Sequence, residues 1–165
     1  MSDHATSPLL IREARPPDRP AIAEFNRLLA LETERKVLDP SVLDRGVALA
    51  LAEPDRLRYW VAEIDVPAQL AGQAAVSREW SDWRNGWLWW LQSVYVAAPY
   101  RGRGIFRALF RHIRDEARAN LDVIGLRLYV EDSNAPAQRT YQSLGMKPAP
   151  YSVYEDLWLD RARQT

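Results

Sequence analysis

Two periodicities divide the chain into helices and strands. Apolar residues recur every three to four positions in four segments, which predicts helices over residues 22–31, 39–52, 102–120 and 134–145. Polar residues that commonly cap helices support these boundaries. Asp18 precedes the first helix, Asp39 opens the second, and Ser133 or Asn134 caps the fourth.

Alternating apolar and polar positions predict strands over residues 9–11, 59–66, 70–76, 87–96, 126–130 and 151–157. The resulting order is β-α-α-β-β-β-α-β-α-β, with hairpins first and strand–helix–strand crossovers last. This order predicts an α+β fold, in which a mixed sheet carries helices on both faces. Residues 1–8 are polar and are expected to form a flexible leader. No linker interrupts residues 9–165, which are expected to form a single domain.

Composition and charge argue against several classes of function. The 165 residues include 22 basic and 22 acidic side chains, so the basic excess typical of proteins that bind nucleic acids or anionic membranes is absent. The chain has no cysteine, and its two histidines, His4 and His112, are far apart, so we expect no metal site. No apolar run reaches the roughly 18 residues that span a bilayer, and residues 1–8 lack the apolar stretch of a secretory signal. We therefore expect a cytoplasmic protein.

The most informative segment is the turn between strand 87–96 and the third helix. Gly102 and Gly104 allow the backbone to approach a ligand closely, and the exposed amides at the start of the helix favour phosphate oxygens. Arg101 and Arg103 add positive charge beside them. A phosphate loop would end in Gly-Lys-Ser/Thr, and a dinucleotide fingerprint would contain a third glycine. Neither pattern is present.

Two motifs resemble those of the GCN5-related N-acetyltransferase family. The segment Arg101-Gly102-Arg103-Gly104-Ile105-Phe106 is similar to the acetyl-CoA-binding motif of arginine or glutamine, two residues, glycine, one residue, then glycine or alanine. Phe106 departs from the motif, because a small residue is usual there. The segment from Asn134 to Met146 is similar to the family's second motif, with Tyr141 two helical turns after the asparagine. Together with the order of elements, the resemblance covers nearly the whole chain.

The resemblance implies a central, mostly antiparallel sheet of six to seven strands, flanked by helices and splayed between strands 4 and 5. Acetyl-CoA, the co-substrate, would insert at the splay and form main-chain hydrogen bonds along strand 4. An amine would attack the thioester directly in a ternary complex, and Tyr141 would act as the general acid to the CoA thiolate. The cofactor-binding residues that it implies are Val94, Tyr95, Val96, Arg101, Gly102, Arg103, Gly104, Ile105, Phe106 and Asn134.

The general base has several candidates. Gln92 stands where many members of the family have a glutamate, and an amide cannot act as a base. Glu79, before strand 4, is the preferred base. The alternatives are Asp82, Glu32, Glu34 or an ordered water.

The acceptor is expected to be a primary amine of a small molecule or a peptide. The residues assigned to its binding are Glu32, Glu34, Trp80, Trp83 and Gln92. Trp89 and Trp90 are expected to fill the core on the two faces of the sheet. The aromatic final strand, residues 151–157, could pair across a homodimer.

Two other functions remain open at this stage. Gln92 and Phe106 are compatible with a non-catalytic acyl-CoA-binding sensor of the same fold, whereas Tyr141 favours an enzyme. The arginines of the turn and third helix could bind RNA or DNA, but the zero net charge favours a solvated helix face.

Overall fold

The computed structural model describes residues 9–64 and 69–158, so the leader predicted for residues 1–8 and the last two residues of the strand predicted over residues 59–66 lie outside it. The chain divides into two compact units, Met1–Tyr129 and Val130–Thr165, and the single domain expected for residues 9–165 stays a prediction. The first unit contains β1 (Leu10–Glu13), α1 (Arg19–Glu34), α2 (Pro40–Ala52), β2 (Arg58–Ile64), β3 (Gln69–Ser81), β4 (Gly86–Val96), α3 (Ile105–Ala119) and β5 (Val123–Leu128). The second contains α4 (Ala135–Ser143).

The sheet has the order β1-β2-β3-β4-β5. The first three pairings are antiparallel and the pairing of β4 with β5 is parallel, which confirms the mixed, mostly antiparallel sheet. Among the described residues it has five strands rather than six to seven. Residues 151–157, predicted as a strand, have no regular secondary structure. A strand needs a hydrogen-bonded neighbour and a surface to cover, and Tyr154 is 94% exposed.

The two faces of β2 pack against different helices of the first unit. Tyr59 and Val61 belong to a buried cluster with Ile22 of α1 and Val47 of α2. Trp60, which points the other way, donates from Nε1 to Glu116 of α3 at 3.4 Å. The alternation along one strand therefore places helices on both faces, as predicted.

The hairpin between β3 and β4 is longer than predicted. Ser81 pairs with Gly86, so only residues 82–85 form the turn, and Asn85 there has a φ of 49°. The strand extends because Trp80 pairs across it with Trp87, with ring centroids 5.0 Å apart in an edge-to-face arrangement. Trp80 is thus a strand residue rather than a loop residue.

The pairing of β4 with β5 ends halfway along β4. It covers Trp87 to Leu91, whereas residues 92–96 pair with β3 alone among the described residues. On the β3 side, Ala75 pairs with Gln92 and Gln73 with Tyr95, so β4 contains one additional residue at this point. That bulge bends and twists the strand where it leaves its parallel neighbour. The predicted splay between strands 4 and 5 is confirmed.

Asp18, the predicted N-cap residue of α1, does not cap the helix with its side chain. Asp18 is at the N-cap position, but its carboxylate does not bond to the helix. It accepts from the guanidinium of Arg12 at 2.7 and 3.0 Å and from the amide of Arg15 at 2.7 Å. Burial raises the pKa of Asp18, but these hydrogen bonds outweigh that effect, so the pKa is below its usual value. Asp18 therefore links the N-terminal end of α1 to Arg12 of β1.

Asp18→Asn is expected to lower the free energy of unfolding by about 1–2 kcal/mol at pH 7, because the charge-assisted bonds to Arg12 are lost. The contribution of Asp18 is complete above the pKa of an unfolded aspartate, about 3.9, and is lost as the pH falls through the lower pKa of the folded state. The difference between variant and wild type should therefore narrow in acid. Urea denaturation from pH 3 to 7 measures this. Glu53→Gln, at an exposed pair with Arg56, is the control and should cost much less. A difference that is the same at every pH would contradict the assignment.

Candidate active site

The turn between β4 and α3 has a backbone conformation that suits the binding of an anion at the N-terminus of α3. Gly102 and Gly104 have φ values of 78° and 77°, which favour glycine, and Gly104 is the N-cap of α3. The first helical hydrogen bond runs from Ala108 N to Gly104 O, so the amide of Ile105 lies before the first hydrogen bond of the helix. This amide and the helix dipole favour negative charge at this end. The helix begins at Ile105 rather than at Gly102 because neither glycine has a helical conformation.

The aromatic ring of Phe106 turns away from this turn. Its centroid lies 6.1 Å from that of Phe110, one helical turn later. The departure from the small residue usual at this position therefore leaves the backbone of the turn in place.

The two arginines of the turn have different surroundings. Arg101 donates from Nε to the carbonyl of Val96 at 2.9 Å and from Nη2 to Glu32 at 2.5 Å, so its guanidinium is committed to β4 and α1. The guanidinium of Arg103 lies 5.5 Å from the ring centroid of Tyr100. Of the two, Arg103 is the one whose contact leaves its hydrogen-bond donors available to a ligand.

The unpaired half of β4 presents backbone groups towards the splay. Ala97 N donates to Ala71 O at 2.9 Å, so Ala97 bonds towards β3. Alternate residues of a strand bond in opposite directions, and the backbone groups of Val96 therefore point to the open side. Its carbonyl is the group that Arg101 holds.

A network of buried amide side chains contacts the backbone of the bulge in β4. The sequence did not predict this network. Gln73 is fully buried, and its Nε2 donates to the carbonyl of Ser93 at 3.2 Å and to Oδ1 of Asn26 at 2.7 Å. Asn26 in turn donates to the hydroxyl of Tyr59 at 3.0 Å. Ser93 has a φ of 50°, a conformation unusual for a side-chain-bearing residue. The available signal was a glutamine in the otherwise apolar run Leu70–Val76.

Glu32 and Tyr95 form a polar contact between α1 and β4. The Tyr95 hydroxyl donates to Glu32 Oε1 at 2.8 Å, and the Tyr95 ring lies 5.4 Å from that of Phe25. The hydrogen bonds from Arg101 and Tyr95 lower the pKa of Glu32, so its carboxylate is anionic at neutral pH. Burial and the contact with Glu32 raise the pKa of Tyr95.

Glu79 belongs to a second polar cluster on the sheet. It accepts from Trp90 Nε1 at 2.5 Å and from Arg127 Nη1 at 3.3 Å. Trp90 is half-buried and stacks on the exposed Tyr129, with centroids 4.5 Å apart, whereas Trp89 is buried as predicted. Glu79 pairs with Leu88, four residues before Gln92, which is about 13 Å along the strand.

The structure does not gather all the residues assigned to the acceptor. Gln92 lies where β4 leaves β5, with its amide bonded to Ser77. Glu34 forms an ion pair with Lys36 after the end of α1. Trp80 and Trp83 lie at the far end of the β3–β4 hairpin, and Trp83 is 87% exposed. The side chain of Asp82 accepts from Trp83 N within that turn.

The second unit contains the other motif. Asn134 caps α4, with Oδ1 accepting from Ala137 N at 3.1 Å, which is one of the two predicted capping arrangements. Leu144 is buried, and Tyr141 and Ala137 are less exposed than most of their neighbours, as residues of one helix face should be. Burial raises the pKa of Tyr141, so its phenol is protonated at neutral pH.

Across residues 9–64 and 69–158, no helix is long and apolar enough to cross a membrane. The same part of the chain contains no group of three or more histidine and acidic side chains that could hold a metal ion.

Several solved structures with this fold are acetyltransferases by name. A possible acetyltransferase from Clostridium difficile 630 is 43% identical, with a TM-score of 0.84, covering 90% of this chain and 97% of its own. The ribosomal-protein-alanine N-acetyltransferase from Brucella melitensis biovar Abortus 2308 is 18% identical, with a TM-score of 0.73 and coverage of 92% and 99%. Glucosamine-6-phosphate N-acetyltransferase from Arabidopsis thaliana is 19% identical, with a TM-score of 0.69 and coverage of 90% and 98%. The last two share the fold. No curated protein matches the sequence.

The sheet that opens at β4 and the glycine turn before α3 define the class of the protein, an acyltransferase fold. Residues 22–146 match the model of the acetyltransferase (GNAT) family. The chain belongs to the acetyltransferase (GNAT) family, as its two motifs predicted.

Gly104→Ala is expected to lower the free energy of unfolding by about 1–2 kcal/mol, because a side chain disfavours a positive φ. An added Cβ would meet no atom within 4 Å, so the cost comes from the backbone conformation and not from a clash. Gly46→Ala is the matched control. Its Cβ also meets nothing, but Gly46 is exposed within α2, and alanine should stabilise the protein by about 0.5–1 kcal/mol. Thermal denaturation of both variants measures the difference, and two changes of the same sign would contradict the conformational argument.

Proposed function

We propose that this protein is an N-acetyltransferase that binds acetyl-CoA and transfers its acetyl group to a primary amine in a ternary complex. The observation that carries the proposal is the open half of β4 leading directly into a turn with two positive-φ glycines and the start of α3. The donors of this region fit an extended anionic thioester carrier. We also propose a cytoplasmic location, as the sequence predicted.

The diphosphate would be held by the backbone amides from Gly102 to Ile105, and Phe106 stays a prediction for this role. These amides lie at the positive end of α3, and they need no side chain to bind phosphate oxygens. Arg103 adds charge from beside the turn. Arg101 acts differently, because its donors already bind Val96 and Glu32.

The pantetheine arm would lie along residues Val94 to Val96, where β4 has no parallel neighbour. An amide of the arm can pair with the outward-pointing backbone of a strand, as a peptide does at the edge of a sheet. In this proposal the thioester reaches the level of Gln92, where β4 and β5 separate. Asn134 is proposed to contact the carrier from the second motif.

The chemical step transfers an acyl group without a covalent enzyme intermediate. The amine nitrogen forms a bond to the thioester carbonyl carbon, and the carbon–sulfur bond breaks. The departing thiolate takes a proton from Tyr141, whose raised pKa keeps it protonated until that moment. The acceptor ammonium first loses one proton to a base, and a second proton leaves the nitrogen as the amide forms and returns to the tyrosinate of Tyr141. The products are the N-acetylated amine and CoA, and one proton remains on the base.

Glu79 is the base that we propose. Its carboxylate accepts from the indole of Trp90 and from the guanidinium of Arg127, and these contacts hold it on the sheet. The distance along β4 from Glu79 to Gln92 requires a chain of ordered waters between the carboxylate and the amine. Among the other carboxylates considered, Glu32 pairs with Arg101, Glu34 pairs with Lys36, and Asp82 lies in the β3–β4 turn. Glu79 also pairs with an arginine, but it lies on the same face of the sheet as Gln92.

The acceptor is proposed to be a small-molecule or peptide amine. Gln92 faces the same side of the sheet as Glu79 and Trp90, which gives this face a carboxylate and an aromatic surface. Cations bind favourably to both. Trp80, Trp83 and Glu34 remain predictions for this role.

An acceptor screen that follows CoA release tests the function. We expect amine-dependent release with wild type and a kcat about 100-fold lower with Tyr141→Phe, because the variant lacks the proton donor. Calorimetry should show the same affinity for acetyl-CoA in both proteins, since the hydroxyl acts only on the leaving group.

Three results would count against this assignment. Binding of acetyl-CoA without turnover for any amine would indicate the sensor function instead. A Tyr141→Phe variant as fast as wild type would remove the general acid. No binding of acetyl-CoA would remove the enzymatic proposal itself.

Glu79→Gln is expected to lower kcat/KM about 100-fold at neutral pH, because an amide cannot accept the proton of the acceptor. It should also change the pH–rate profile, because the group that accepts the proton is replaced. Asp55→Asn is the control, since Asp55 also pairs with an arginine, Arg78, at 2.8 Å. An unchanged pH–rate profile for Glu79→Gln would leave water alone as the route for the proton.

A further inference from the structure

We propose that Glu32 is a positioning residue for the cofactor turn, which it holds through Arg101 and Tyr95, and is not a contact for the acceptor. This inference rests on the proposed function, because it explains how the turn is kept ready for the diphosphate of acetyl-CoA. From the sequence alone, Glu32 is predicted to bind the acceptor. The contacts of its two carboxylate oxygens point to a different role.

Each oxygen of Glu32 has its own strong donor. Oε1 accepts from the hydroxyl of Tyr95 on β4 at 2.8 Å, and Oε2 accepts from Nη2 of Arg101 in the turn at 2.5 Å. Glu32 lies in the last turn of α1, 63 and 69 residues before these donors. One carboxylate thus joins the end of a helix to the strand and to the turn that follows it.

Arg101 passes this constraint to the backbone. Its Nε donates to the carbonyl of Val96 at 2.9 Å, and its guanidinium lies 5.4 Å from the ring centroid of Tyr95. The guanidinium is therefore held by Glu32, by the last residue of β4 and by an aromatic face. Gly102 follows Arg101 directly, so the position of this side chain determines where the turn starts.

The turn needs such support because of its own sequence. Gly102 and Gly104 have more conformations available to them than other residues, and an unsupported turn would have to be ordered each time a ligand binds. Ordering a segment on binding reduces affinity, whereas a turn that is already ordered avoids this cost. The ion pair between Glu32 and Arg101 supplies that order from α1.

The anionic form of Glu32 is the form that does this. Arg101 and Tyr95 both donate to it, and together they lower its pKa. A glutamine at this position keeps the size of the side chain but can accept hydrogen bonds through one oxygen only. Its NH2 group would point at Tyr95 or Arg101, both of which are donors, so one of the two hydrogen bonds would be lost. Arg101 would then lose a charged partner while its bond to Val96 remains.

The test is calorimetric binding of acetyl-CoA to Glu32→Gln, together with the KM values for both substrates. We expect the Kd of acetyl-CoA and its KM to rise about tenfold, which corresponds to about 1.4 kcal/mol, with the KM of the acceptor unchanged. Tyr95→Phe keeps the ring under Arg101 and removes one donor to Glu32, so a smaller rise in the same direction is expected. Glu24→Gln is the control, because Glu24 pairs with Arg27 at 2.8 Å on the same helix, away from the turn.

Three outcomes separate the possibilities. A higher Kd for acetyl-CoA with an unchanged acceptor KM and a thermal midpoint close to that of Glu24→Gln supports the positioning role. An unchanged Kd, or a rise in the acceptor KM alone, overturns it and returns Glu32 to the acceptor. If wild type itself binds no acetyl-CoA, the proposed function is overturned and this inference with it.

Discussion

The candidate site depends on where the hydrogen bonding between β4 and β5 stops. Up to Leu91 the strand β4 has a neighbouring strand on each side. From Gln92 onwards, within the part of the chain that the structure describes, its only neighbouring strand is β3. Backbone groups left without a partner are costly when they are buried, so the open half of the strand is a place where a ligand can complete the sheet. The bulge at Ser93 is the local cause, because an additional residue changes the twist of β4 and takes it away from β5.

Helix α1 holds this open half at three levels. Asn26 contacts the bulge through the amide of Gln73, Phe25 packs against the ring of Tyr95, and Glu32 reaches the turn through Arg101. The contacts change from buried and neutral near the middle of the helix to charged and exposed near its end. Helix α1 therefore stabilises the half of β4 that has no hydrogen bonds to β5.

Local signals in the sequence predicted the parts of the site that a few neighbouring residues determine. The two glycines, the helix after them and the capping asparagine all lie within short segments, and the structure places them as expected. The α+β fold and the splay followed from the order of elements and from the resemblance of two motifs. These inferences needed no knowledge of contacts between distant residues.

The supporting contacts were not predictable in this way. Gln73 meets Asn26 across 47 residues and Glu32 meets Arg101 across 69, and no local pattern distinguishes such a glutamine or glutamate from one in solvent. The alternation of apolar and polar residues also predicted a strand over residues 151–157 that the structure does not contain. These residues have the pattern of a strand but no neighbouring strand among the described residues. Trp80 and Trp83 share a short aromatic segment with Trp90 but lie at the far end of the hairpin, because a strand separates in space what is close in sequence.

The orientation of Phe106 has a consequence for how this turn can evolve. Its ring lies against Phe110, and in the proposed enzyme the diphosphate meets main-chain amides of the turn, which every residue except proline can offer. A substitution at this position is therefore expected to be tolerated when the new side chain can fold back onto the helix, whatever its bulk. The dihedral angles of the turn are then a better guide to ligand binding than the identity of this one side chain is.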